Sequence, residues 1–174
     1  MICISIHMER GHCPLAGLVT VTLPSGHRSG SGADTGPILK EIERIPDSYQ
    51  VVHSRDNRVN LSLNRDGRVN YIYSNYNTER EVAIWLEQVS DKVLDVEYVL
   101  LVGLGLGYHL KALIEKFPHK KFFIFEPDAY LFSLSIHACD LSELLSHQNI
   151  VGLTVGTNEQ ILKEFIDRLT ERVG

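Results

Sequence analysis

The stretch VLLVGLGLGYHLKALIEKFPHKKFFIFEPD, Val99 to Asp128, decides how the rest of the chain is read. Apolar residues Val99 to Val102 run into the alternating glycines Gly103, Gly105 and Gly107. An amphipathic run, Tyr108 to Phe117, follows at helical spacing. A second apolar run, Lys121 to Phe125, then meets Glu126 and Pro127. Strand, glycine turn, helix, strand, acid is the opening unit of a nucleotide-binding parallel sheet. The expected fold is therefore α/β, with a Rossmann-like three-layer parallel sheet.

Working outward, the C-terminal side continues the alternation. Asp128 is placed to cap a helix carrying Leu131, Phe132, Leu134 and Ile136, and LSELLSH reads as a short helical piece. Ile150 to Gly156 reads as a third buried strand. A final amphipathic helix should turn Ile161, Leu162, Phe165, Ile166 and Leu169 inward. About three parallel strands are thus expected, and a sheet that short, ending on a helix, reads as a fragment.

On the N-terminal side, NTERE reads as a helix start capped by Thr78, with Glu81 completing a capping box. Val82, Ile84, Trp85 and Val89 should form that helix's apolar face, with Trp85 in the core. Before it, YQVVHS, VNLSLN and RVNYIYS read as strands of a small antiparallel β-meander between Tyr49 and Ser74. NRDG, Asn64 to Gly67, supplies a hairpin turn, because Asp-Gly suits the positive φ angles of type I′. ILKEIERI reads as a helix stopped by Pro46. Three segments result: an irregular, flexible stretch 1–37, a helix, meander and helix over 38–95, and a Rossmann-like unit over 96–174.

Composition narrows the function classes. The 174 residues are 44% hydrophobic and 22% charged, as in an ordinary globular domain. A net charge of -5 opposes a general nucleic-acid or anionic-membrane surface. The cysteines, Cys3, Cys13 and Cys139, are too scattered for a disulfide framework or a CxxC zinc site. His7, His12 and Cys13 find no fourth ligand at orderly spacing, so no metal is expected. No apolar run approaches the roughly 20 residues of a membrane span. A cytoplasmic protein without nucleic-acid or membrane partners is the expectation.

Glycines at the turn would let a phosphate, ribose or carboxylate approach the free N–H groups of the helix start. Glu126 would then accept hydrogen bonds from ribose hydroxyls, or else cap the next helix or pair with Arg80. Tyr108 and His109 stand at the helix start. His109 is read either as a group that touches a phosphate or carboxylate and moves a proton, or as a side chain packed on the Ser74–Tyr76 segment. Ser74 and Tyr76 should shape the mouth of the cleft. The candidate ligand-binding residues are therefore Gly103, Gly105, Gly107, Tyr108, His109, Glu126, Ser74 and Tyr76. No catalytic residue stands out.

The loop departs from two known patterns. GxGxxG counted from Gly103 ends on Tyr108, and counted from Gly105 on Leu110, so neither register suits NAD or FAD. GLGLG with Glu126 resembles the first motif of S-adenosylmethionine-dependent methyltransferases and spermidine synthases. Those carry an acid two residues before the first glycine, where this chain has Leu101. A nucleotide-sugar or S-adenosylmethionine-like ligand is the class such a loop would take.

A more specific resemblance lies in four linked segments: YIYSNYNTEREVAIWLE, VLLVGLGLGYHLKALIEKFP, FFIFEPDAYLFSLSI and DLSELLSHQNIVGLTVG. Together these resemble the N-terminal part of the bacterial motility-associated-factor glycosyltransferases. The motif positions are Ser74, Tyr76, Arg80, Glu81, Gly103 to His109, Glu126 and Pro127, and the resemblance spans roughly 38–173. It implies a protein that helps transfer a nonulosonic acid, such as pseudaminic or legionaminic acid, from its CMP-activated form to flagellin. It further implies that catalysis belongs to a following Rossmann-like domain, related to an archaeal pterin pyrophosphokinase, which this chain lacks. Flagellin and that missing domain are the partners so implied.

Overall fold

The computed structural model describes residues 2–5, 49–156 and 159–173. The expected helix before Pro46, and the histidines and cysteine near the N-terminus, lie outside these residues.

Two sheets make up the fold. The first is antiparallel: β2 (Tyr49–His53), β3 (Val59–Arg65) and β4 (Arg68–Tyr71), in that spatial order. Asp66 and Gly67 form the β3–β4 turn with φ of 51° and 77°, the two positive values that type I′ requires. The second sheet is parallel, with order β1 (Ile2–Ser5), β5 (Tyr98–Val102), β6 (Lys121–Glu126), β7 (Ile150–Val155). A strand at Ile2–Ser5 was not expected, and it raises the parallel count from three to four. Four residues are too few to establish an alternation that could be read from sequence.

The helices are α1 (Thr78–Leu94), α2 (Tyr108–Lys116), α3 (Ala129–Ala138), α4 (Ser142–Leu145) and α5 (Glu159–Val173). Period-two alternation along the strands divides the parallel sheet into two faces. Val99, Leu101, Phe122, Ile124, Leu153 and Val155 pack with side chains of α1, α2 and α3, and with Leu141 and Leu145. Phe123, with Tyr98, Leu100, Phe125 and Val151 beside it, packs with Phe165 and Leu169 of α5. Helices therefore cover both faces, giving the three layers expected.

Two helix faces differ from expectation. Ile84 is 45% exposed while Val93 is fully buried, so the buried line of α1 runs through Val82, Val89 and Val93. In α5, Phe165 and Leu169 are buried but Ile166 is 58% exposed. Both corrections follow from the 3.6-residue period, which carries Ile84 and Ile166 round to the outer side. The start of α1 differs too. Asn77, not Thr78, is the N-cap, its side chain accepting from the Arg80 amide at 2.7 Å. Glu81 accepts from the Ser74 amide, outside the helix, so no capping box forms. The Thr78 hydroxyl instead lies 3.2 Å from both the Ser74 carbonyl and the Ser54 hydroxyl, with its one proton available to either.

The meander ends at Tyr71 rather than Ser74 because a buried side chain takes over the ladder. Asn60 donates from Nδ2 to the Tyr73 carbonyl at 2.9 Å and accepts from the Tyr73 amide at 3.1 Å. Tyr73 then turns inward and is 2% exposed. With Leu61 it joins Val82, Leu106, Leu131 and Leu134 in one apolar cluster. The meander thus packs on the glycine loop and the adjoining helices. Complete burial of a leucine such as Leu61 or Leu106 contributes about 2 kcal/mol.

Candidate functional site: the glycine loop

Loop 103–107 joins β5 to α2, and its three glycines all take positive φ: 89° at Gly103, 54° at Gly105 and 80° at Gly107. That conformation is why the turn needs glycine. The whole loop is buried. A Cβ on Gly107 would lie 2.7 Å from Leu144 Cδ2 and 3.2 Å from Leu141 Cδ2, so the segment around α4 closes this side of the turn.

Nearly every amide in the loop has an internal acceptor. Gly103 donates to the Phe125 carbonyl at 2.8 Å, and Gly107 to the Leu104 carbonyl at 3.0 Å. Leu104 and Gly105, the donors that would face a ligand, both donate to Glu126 Oε2, at 2.7 and 3.2 Å. The other oxygen, Oε1, accepts from the Asp128 amide at 2.9 Å. Glu126 is 1% exposed. Of the roles open to it from sequence, contact with the start of the next helix is the one observed. Asp128 itself is the N-cap of α3, accepting from the Tyr130 and Leu131 amides at 3.0 Å each. Burial pushes the Glu126 carboxyl up to about 7, against the pull of its three amide donors.

The helix start is equally enclosed. His109 is 4% exposed and stacks on Tyr73, with ring centroids 5.2 Å apart. Trp85 meets the same imidazole edge-on at 4.4 Å. Burial drives the His109 pKa down to about 4, so the ring is neutral at ordinary pH. Its Nδ1 has no hydrogen-bond partner. Burial pushes the pKa of the enclosed Tyr73 hydroxyl above its ordinary value, against the pull of the nearby Leu106 and Tyr108 amides. Tyr108 sends its hydroxyl to the Val59 carbonyl of β3 at 2.9 Å, and burial raises its pKa to about 12. A second tie runs from the Tyr49 hydroxyl of β2 to Asp128 Oδ2 at 2.6 Å.

Six of the eight residues singled out from sequence therefore meet in one place: Gly103, Gly105, Gly107, Tyr108, His109 and Glu126. Among the described residues, no hydrogen bond or ring contact links Ser74 or Tyr76 to the loop. Ser74 Oγ accepts from the amides of Tyr76 and Asn77, and Tyr76 is 68% exposed with the Arg55 guanidinium 4.5 Å over its ring. Leu101, where methyltransferases carry an acid, is fully buried in the core. Asn60, Tyr73 and Tyr49 complete the surroundings of the loop, and nothing in their local sequence marks them. No group of three or more His, Cys, Asp or Glu able to hold a metal occurs among the described residues.

The family described as glycosyltransferase Maf N-terminal domain matches residues 40–158. The chain belongs to this family. Its glycine loop, Glu126 and the whole meander fall inside the matched segment. An uncharacterized protein from Treponema pallidum (strain Nichols) is 28% identical over 131 residues, covering 74% of this chain. The chain spans 43% of the length of that relative. No solved structure matches the chain. What the Maf N-terminal domain presents at its glycine loop is a strand–turn–helix whose Leu104 and Gly105 amides are held by Glu126. No helix among the described residues is long and apolar enough to cross a membrane.

Proposed function

We propose that this chain is a non-catalytic, cytoplasmic module of a flagellin-modifying glycosyltransferase. It assembles with the transferase domain or positions the acceptor, and the nonulosonic acid is bound and transferred elsewhere. One observation carries the reading: Glu126 occupies the Leu104 and Gly105 amides that a nucleotide would need. A carboxylate turned inward onto the loop has no free oxygen in position for a ribose hydroxyl. His109, neutral and sandwiched between Tyr73 and Trp85, is withdrawn from proton transfer with a substrate.

The other reading is a nucleoside-binding domain of methyltransferase type. The order strand, glycine turn, helix, strand, acid favours it; the direction of the acid and the apolar Leu101 count against it. Calorimetric titration of the chain with CMP and with S-adenosylhomocysteine separates the two. The expected result is no heat with either. Saturable heat with S-adenosylhomocysteine would replace the scaffold reading with the methyltransferase one, and heat with CMP would place donor binding in this domain. The flagellin assignment has its own test. Flagellin from cells lacking the gene should lose the mass of its attached sugar, and unchanged flagellin would sink that assignment.

A further inference from the structure

The outer edge of the meander is built to add another strand. β3 and β4 pair in the register Ser62 with Tyr71, Leu63 with Asn70, Asn64 with Val69 and Arg65 with Arg68. A two-residue turn makes Arg65 and Arg68 a hydrogen-bonded pair, and such pairs alternate along an antiparallel ladder. The Ile72 amide bonded to the Leu61 carbonyl at 2.9 Å fits that alternation. The N–H and C=O of Arg68 and Asn70 therefore face β3, while those of Val69 and Tyr71 face away from it. No described strand lies on that side.

The side chains at this edge are apolar and open to solvent. Val69 is 53% exposed and Tyr71 is 44% exposed, and being two apart they share one face of the sheet. Folded proteins usually blunt a free edge with lysine, proline, a bulge or a covering segment. β4 has no lysine, no proline and no register break, and all its residues are exposed. Its single charge, Arg68, stands beside the turn.

The geometry points to a second copy of this chain as the occupant, bound by antiparallel pairing of β4 with β4 across a two-fold axis at Asn70. In that register Val69 meets Tyr71 of the second copy and Tyr71 meets its Val69. Both are hydrogen-bonded pairs, so all four outward backbone groups on each strand find partners. The strand is complementary to itself. Valine faces tyrosine twice, a favourable cross-strand combination. Arg68 falls opposite Ile72 of the second copy rather than opposite another arginine, so no like charges meet. The two Asn70 residues face each other on the opposite side of the sheet as a non-hydrogen-bonded pair, close enough for their amides to bond. The result is a six-stranded sheet, isologous as a two-fold interface must be. Four residues a side bury less than a standard interface, so the dimer is weak and depends on concentration.

Sedimentation equilibrium of the 174-residue chain over rising concentration should show a reversible monomer–dimer equilibrium. Val69→Lys with Tyr71→Lys should raise the dissociation constant at least roughly tenfold with unchanged circular dichroism. Asn70→Cys fixes the register. Its two copies lie about 4.5–5.5 Å apart in Cα, the range a disulfide accepts, so mild oxidation should yield a covalent dimer above the wild-type background. Arg68→Cys, facing residue 72 of the second copy, should not. A chain that stays monomeric at every concentration, or that cross-links equally well through residue 68, overturns the proposal. So does a dimer that the double lysine variant leaves intact, since it must use another surface, and so does recovery of the edge paired only with a different protein.

Discussion

The Tyr108 hydroxyl donates to the Val59 carbonyl across 2.9 Å, joining residues 49 positions apart and fastening the meander to the first turn of α2. With the bond from Tyr49 to Asp128, it adds a polar tie to the apolar cluster that joins the meander to the glycine loop and α3. Tyr108→Phe should cost about 1 kcal/mol, and Tyr49→Phe about 2 kcal/mol because its acceptor is a carboxylate. The loss should be local. Deuterium exchange should quicken in β2, β3 and β4 while β5 and β6 keep their protection; equal acceleration everywhere would show that the ties do not hold the meander.

Replacing Glu126 with glutamine distinguishes a structural carboxylate from a ligand anchor. Glutamine offers one oxygen and sets an NH₂ against an amide that now finds an acceptor. Urea denaturation of Glu126→Gln at pH 5, where the Glu126 carboxyl is neutral, should show a loss of about 2 kcal/mol, the scale of leaving one buried amide without its acceptor. An anchor waiting for a ligand would be nearly neutral to unfolding when changed, so unaltered stability refutes the internal role.

The two buried titrating groups work against each other between pH 4.5 and 7. His109 has its folded pKa lowered from 6.5 to about 4, so its contribution is present above 6.5 and is lost as pH falls through that interval. Glu126 has its folded pKa raised from 4.5 to about 7, so its contribution is present below 4.5 and is lost as pH rises through 7. The wild-type protein should therefore show little pH dependence across this window. His109→Phe, which keeps the ring between Tyr73 and Trp85, should become more stable toward acid. Glu126→Gln should instead lose about 2 kcal/mol between pH 7 and pH 5, where only the penalty of charging His109 remains. Thermal melts at pH 7, 6 and 5 are the measurement; parallel profiles for the two variants would contradict the assignment.

Gly107 carries two separate demands, a φ of 80° and open space where Leu144 approaches. Gly107→Ala should cost about 2 kcal/mol, from left-handed strain and the shift of a leucine. Gly67→Ala, also at positive φ but with nothing within 4 Å, should cost only the strain of about 1 kcal/mol. Equal losses at the two sites would mean that packing at Gly107 is unimportant.

Much of this architecture is written in local pattern. Asp66-Gly67 gives the hairpin, Asp128 the cap of α3, and the apolar runs ending at Val102, Phe125 and Val155 the parallel strands, because each depends on a few neighbouring residues. The glycine loop was legible as a turn and not as a site. Its spacing states where backbone donors will be, but not whether a side chain 22 residues later turns toward them. The same limit applies to Asn60, which is fully buried and replaces part of the ladder with its own amide. Its role depends on Tyr73, 13 positions away. The Asn77 cap was missed for a smaller reason: asparagine and threonine stand side by side, and both are good caps.

Glu126 gathers amides from two successive strand-to-helix turns, Leu104 and Gly105 after β5 and Asp128 after β6. Neither turn can loosen without leaving a buried carboxyl short of donors that the other alone cannot replace. The carboxyl therefore makes one cooperative unit of two successive strand-to-helix turns. Hydrogen exchange at these three amides should proceed through a single shared opening, with equal protection at Leu104, Gly105 and Asp128.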